Sequence, residues 1–208
     1  MNMKKKIFAL ALIMICAAVT AAGTLAYFTD NAHAHNVITT GGIDIEIVET
    51  QVDKESGTEV PFVNNITGVM PGERVSKIVT VKNHEDSGEA WIRVWLNIGI
   101  SEAGDPITNP TIKCLPLEIE VGGEMIPVVS YEINDTYWEY NEEDGYYYHE
   151  EPVEAGNATA PLFKEVKFAP EMGNEYQNCT VYIDVTAEAV QTAHNGDTWD
   201  TVVSWTEE

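Results

Sequence analysis

Two stretches of strict alternation constrain this chain more than anything else in it. Along residues 90–100, Ala90, Ile92, Val94, Leu96, Ile98 and Ile100 fall on one side, with Trp91, Arg93, Trp95 and Asn97 on the other. Along residues 179–189, Cys179, Val181, Ile183, Val185, Ala187 and Ala189 alternate with Tyr182, Asp184, Thr186 and Glu188. A period of two sustained this long puts the apolar side chains on one face of a strand, a pattern no helix can bury. Both segments are therefore expected as central strands of a sheet. The second face of the first carries two tryptophans around an arginine, so it is expected to be covered or stacked in part rather than bare.

Shorter strands are expected around this pair. Ile43, Ile45 and Ile47 alternate with acidic residues, and residues 75–83 follow the turn Met70-Pro71-Gly72-Glu73. Residues 84–88 form the next turn. Strands are also expected over 112–121 and 125–133, the two joined through a hairpin turn at Gly122-Gly123, and over 161–168. Residues 136–149, TYWEYNEEDGYYYH, have the form of a hairpin with aromatic arms and an acidic tip. The tail over 197–205 is expected as a short peripheral helix, with Asp197 as its cap and Trp199, Val202 and Val203 on one face. Turn signals every 8 to 12 residues or so then specify an all-β chain, an antiparallel β-sandwich or jelly roll with one core.

The N-terminus has a different character. Lys4, Lys5 and Lys6 precede an apolar run over 7–22, the charge order of a signal peptide and shorter than the about 20 residues of a spanning helix. Thr24 and Ala26 supply the small residues that suit a signal peptidase, which places cleavage after Ala26 and makes Tyr27 the new N-terminus. Residues 1–26 are thus expected as a signal helix, with membrane contact only before cleavage and a secreted product. Cys16 leaves with that segment. Cys114 and Cys179 remain, and in an exported chain either a disulfide between them or two buried thiols is chemically permitted.

Charge narrows the partners. The chain has 34 acidic and 11 basic residues, and three of those basic residues lie in the signal segment. So negative a surface repels phosphate backbones, which argues against nucleic acid and for solubility, cations or basic partners. His84-Glu85 and His149-Glu150 lack the second histidine of a zinc helix, and GxSxG, Walker and GxGxxG patterns are missing. Glu142, Glu143 and Asp144 do not have the spacing of an EF-hand loop, so a solvated turn is expected there rather than bound Ca²⁺. His33 and His35 are a pair, too few for a firm metal site. No metal ligand set, no cofactor and no catalytic residue is assigned, and a non-enzyme is expected.

The junction itself resembles a known group. Met3-Lys4-Lys5-Lys6, the apolar run, GTLAYFTD and NVITTGGIDIEI are similar to the signal and mature start of SipW-dependent exported proteins, the TasA and camelysin family. The likeness continues more loosely through Pro71-Gly72-Glu73 with Val79-Thr80-Val81-Lys82-Asn83, Ile92-Arg93-Val94, the hairpin at 138–148, Leu162-Phe163 and Ala187-Glu188-Ala189-Val190-Gln191. The resemblance implies a jelly-roll domain over 43–208, preceded by an N-terminal arm over 27–42. It also implies cleavage by a signal peptidase of the SipW type and self-association into biofilm matrix fibres at the cell surface, with accessory matrix proteins as further partners. In such proteins the arm adds a strand to a neighbouring subunit, which makes Tyr27, Phe28, Val37 and Ile38 the expected anchors; an ordinary edge strand of the same domain is the competing expectation. The family also implies two alternatives. One is a camelysin-like metallopeptidase, for which His33, His35, His84, His149 and His194 are the imidazoles at hand. The other is a monomeric adhesin that stacks sugar on the aromatic hairpin.

Overall fold

The computed structural model describes residues 37–39, 42–62, 66–67, 70–102, 113–177, 179–202 and 205. The chain divides after Ala34, and all the described residues belong to the unit His35–Glu208. The expected signal segment with Thr24 and Ala26, and the expected anchors Tyr27 and Phe28, lie outside the described residues. The strands run in order as β1 (Val37–Thr39), β2 (Ile45–Val52), β3 (Glu59–Pro61), β4 (Ile66–Thr67), β5 (Arg74–Ser76), β6 (Ile78–Asn83), β7 (Ala90–Ser101), β8 (Glu118–Val121), β9 (Glu124–Pro127), β10 (Val129–Tyr131), β11 (Trp138–Tyr140), β12 (Tyr147–His149), β13 (Glu165–Phe168) and β14 (Thr180–Gln191). The described residues are all-β and mostly antiparallel.

The two alternating segments pair with each other. β14 and β7 are antiparallel over their full length, from Thr180 opposite Ser101 to Gln191 opposite Ala90. They form the centre of a sheet ordered β1-β14-β7-β12-β11, with β4 also on β14. The other strands build a second layer. β3-β2-β6 and β10-β13-β5 are separate ladders, but β5 and β6 follow each other with only Lys77 between. Bonds from Lys77 N to Lys164 O, Val79 N to Phe163 O and Leu162 N to Val79 O carry the residues before β13 along β6, joining the ladders into one surface.

The apolar faces of the two layers share one core. Ile43, Ile45, Ile47, Val79 and Val81 from one side meet Ile92, Val94, Val185, Ala187 and Ala189 from the other. Each buried Val or Ile removes apolar area worth about 1.5–3 kcal/mol from water, so a core of this extent supplies the main drive for folding.

Several expected boundaries shift. The strand expected over 112–121 is two pieces. Cys114 bridges Ser101 and Leu115 N bonds to Ile100 O, then Pro116, which lacks an N–H, ends that pairing before β8 begins. The strand over 125–133 likewise splits after Pro127 into β9 and β10. The hairpin turn at Gly122-Gly123 is present, both glycines at positive φ, the left-handed backbone that a two-residue turn requires. The aromatic hairpin also pairs as expected, Trp138 opposite His149 and Tyr140 opposite Tyr147. The tail helix is corrected. Trp199–Thr201 forms one 3-10 turn whose cap is Thr198, not Asp197, because the Thr198 and Thr201 side chains bond locally and Val202 is already extended. Val203 lies outside the described residues.

Candidate functional site

The N-terminal arm reaches the sheet through β1. Val37, Ile38 and Thr39 stand opposite Ala187, Glu188 and Ala189 of β14, in parallel. All the other described strand pairings are antiparallel. A parallel partner cannot arrive through a tight hairpin, so β1 is held on this edge by a short main-chain ladder rather than by local connection. Within a few residues the chain has left it for β2, in the other layer. Val37 and Ile38 thus occupy a strand of three residues on an edge of β14. Tyr27 and Phe28 lie outside the described residues.

Beside that edge sits a buried charge cluster. Alternation turns Arg93 of β7 and Glu188 of β14 to the outer face, and the register sets them opposite one another. Arg93 is 7 % exposed and Glu188 5 %. Arg93 Nε donates to Glu188 Oε2 at 2.7 Å and its Nη1 donates to the Tyr148 hydroxyl at 3.0 Å. The Tyr146 hydroxyl donates to Glu188 Oε1 at 2.9 Å, and the Tyr148 hydroxyl donates to Asp144. The guanidinium lies 4.0 Å from the centre of the Tyr146 ring and 4.7 Å from that of Trp205. Trp199 packs on Tyr148 with ring centres 4.6 Å apart. The residues after β14 therefore pass over the outer face as a strap and close the cluster.

The electrostatics follow from this enclosure. Burial alone would lower the Arg93 pKa, but the bonds from Tyr148 and Glu188 outweigh it and hold the guanidinium charged. Burial, then the Glu188 carboxylate, pushes the Tyr146 hydroxyl up to about 12; burial, then Asp144, does the same to Tyr148. A second buried pair lies at the rim of the core. Lys77 Nζ is 2.6 Å from Glu49 Oε1 and 4.1 Å from the centre of the Phe62 ring, and desolvation lowers its pKa against the pull of Glu49.

The remaining residues singled out in the sequence have structural surroundings. His149 is buried, with Nδ1 2.6 Å from Glu151 O and Nε2 accepting from Ala160 N. That is a neutral ring with both nitrogens engaged, and burial lowers its pKa. His84 stands 3.9 Å from Glu46, and His194 adopts a positive φ in the tail. His33 and His35 lie outside the described residues. Among the described residues no three of His, Cys, Asp and Glu group as metal ligands. At the acidic tip, Asp144 turns inward to Arg93 and Tyr148, and its other oxygen accepts from Tyr146 N. Of the hairpin rings, Trp138 and Tyr148 are buried, whereas Tyr137 and Tyr140 are exposed, the first stacked on His149 and the second tilted against Tyr147.

No disulfide joins Cys114 to Cys179. Cys114 is exposed and Cys179 buried, both as thiols. Ser101 stands between them, bridged to Cys114 on one side and facing Thr180, the neighbour of Cys179, on the other. Two strand spacings, about 9–10 Å, exceed the reach of a disulfide, about 7 Å between Cα atoms. Cys179 Sγ instead contacts Glu175 O at 3.4 Å, and burial pushes this thiol up.

Neither buried ion pair is among the expectations drawn from the sequence. Lys77 shares parity with Val79 and Val81 of β6, and Glu49 with Ile45 and Ile47 of β2, so both are carried to the core side. That signal was present. Comparison of the chain with models of known protein families, with characterised proteins and with solved structures finds no match.

Proposed function

We propose that this chain is an exported structural subunit resembling TasA: a jelly-roll domain that assembles into fibres of the extracellular biofilm matrix by donating its N-terminal arm. Cleavage after Ala26 by a signal peptidase of the SipW type releases residues 27–42 from the membrane. The freed arm then pairs with the β14 edge of the next subunit, with Tyr27, Phe28, Val37 and Ile38 as anchors. Accessory matrix proteins join at the cell surface.

The observation that carries this reading is the β1 ladder. Among the described residues the arm pairs with the domain over three residues, in parallel on a strand edge, and the same main-chain bonds are available on any other copy. Exchanging an identical element between copies costs little, because the bonds that open within one chain form again between two chains. The exchange runs head to tail and need not close, which yields a filament.

Deleting residues 27–40 from the chain that starts at Tyr27 tests the proposal. The expected product is a folded monomer that forms no fibres by electron microscopy. Fibres indistinguishable from those of the intact mature chain would overturn it.

A further inference from the structure

We propose that the outer face of β7 and β14 carries, at the end away from the strap, a binding platform for a neutral polysaccharide chain. At the rows of Trp91 and Arg93 the face is buried, Arg93 beneath Tyr146 and the strap's Trp205. Two residues further along β7 the face opens: Trp95 is 40 % exposed, a high value for a tryptophan at the centre of a sheet, and Asn97 is exposed. The residues opposite them, Thr186 and Asp184, are half-buried.

At the far end of this strip Tyr182 stands opposite Gly99. A Cβ at Gly99 would fall within the Tyr182 ring. The ring therefore lies across the backbone of β7 instead of standing up from the sheet, and only glycine permits that. Trp95 and Gly99 are four residues apart, about 13 Å along a strand. The result is a low strip with the exposed Trp95 ring at one end and the half-buried Tyr182 ring, laid over Gly99, at the other. Between them Asn97 and Asp184 offer an amide and a carboxylate, with Asn97 Nδ2 3.5 Å from Asp184 Oδ2.

This arrangement fits a sugar chain better than other ligands. The C–H faces of pyranose rings are apolar and pack on aromatic faces, while their equatorial hydroxyls need donors and acceptors in the plane between. A low strip suits an extended polymer, which a pocket would exclude. Charge selects among polymers. With 34 acidic against 11 basic residues, and a carboxylate in the strip itself, the surface repels polyanions, while the rings, amide and carboxylate of the strip are the groups that an uncharged glycan's C–H faces and hydroxyls engage. The site does not involve β1, so it stands apart from the fibre proposal.

Electrophoresis of the full mature chain through native gels containing hydroxyethylcellulose or laminarin, two neutral β-glucans, tests the platform, with polygalacturonate as the anionic comparison. Slowed migration is expected in at least one neutral gel and not in polygalacturonate. Trp95→Ala and Tyr182→Ala should each weaken retention about tenfold or more, Trp95→Phe should restore part of it, and Tyr140→Ala, an exposed ring on β11, should leave it unchanged. Trp95 is exposed, so its variants keep the fold and decide the matter even if Tyr182→Ala does not. No slowing in either neutral gel, slowing that survives Trp95→Ala, or slowing confined to polygalacturonate would overturn the proposal.

Discussion

The outer face of β7 and β14 is one surface with two fates. At one end Trp91, Arg93, Glu188 and Val190 are all buried; at the other Trp95 and Asn97 are exposed and Asp184 is half-buried. The strands are the same, the alternation is the same, and the register runs without a break. What differs comes from elsewhere in the chain: Tyr146 and Tyr148 from the hairpin, and Trp199 and Trp205 from the tail. Alternation decides which residues share a face, but distant segments decide whether water reaches it.

The contrast predicts unequal costs for similar changes on that face. Arg93→Ala leaves Glu188 buried without its main partner and should cost about 3–5 kcal/mol, read from the urea midpoint. A loss below about 1 kcal/mol would mean that water already reaches the pair. Trp199→Ala removes a half-exposed ring from Tyr148 and should cost about 1–2 kcal/mol. It should also make stability more sensitive to salt, because Arg93 and Glu188 become hydrated and screened. At the open end, Asn97→Ala should stay within about 0.5 kcal/mol of the parent. A larger loss there would erase the distinction between the two ends.

Alkaline titration sharpens the same comparison. Tyr146 and Tyr148 hold their protons to about 12 in the folded chain, whereas in the unfolded chain they release them near the ordinary value of about 10. Between those limits the unfolded state binds fewer protons, so stability contributed below about pH 10 is lost as the pH rises toward about 12. Phenolate absorbance should show a late component that diminishes in Tyr148→Phe. A single transition near 10 for all tyrosines would contradict an enclosed cluster.

How much of this was legible in the sequence follows from the range of each interaction. The β7 and β14 segments, the Gly122-Gly123 turn and the aromatic hairpin rest on local alternation or turn chemistry, and these were readable. The breaks at Pro116 and Pro127 were also written in the chain, yet the apolar residues around each proline continue a strand pattern that masks them. The partnership of Arg93 with Glu188 depends on a register between residues far apart in sequence, which parity alone does not specify. The strap was hidden for a further reason. Trp199 and Trp205 find their place by packing on Tyr148 and Arg93, whereas the spacing of Trp199, Val202 and Val203 after Asp197 suggests a helix. The separation of Cys114 from Cys179 likewise depends on Ser101 standing between their strands, a fact of topology.

The central claim is that the β1 ladder seen within one chain is made between chains in the fibre. Its register gives a direct measurement. Val37 stands opposite Ala187, so a mature chain carrying Val37→Cys and Ala187→Cys, with Cys114→Ser to remove the exposed thiol, places a cysteine on each side of the ladder. After assembly and mild oxidation, non-reducing electrophoresis of the fibres should show a ladder of covalent multimers that collapses to monomer on reduction. The Val37→Cys and Ala187→Cys single variants should show none. Fibres that yield only monomer with an internal crosslink would contradict the account, because the arm would then remain in its own domain.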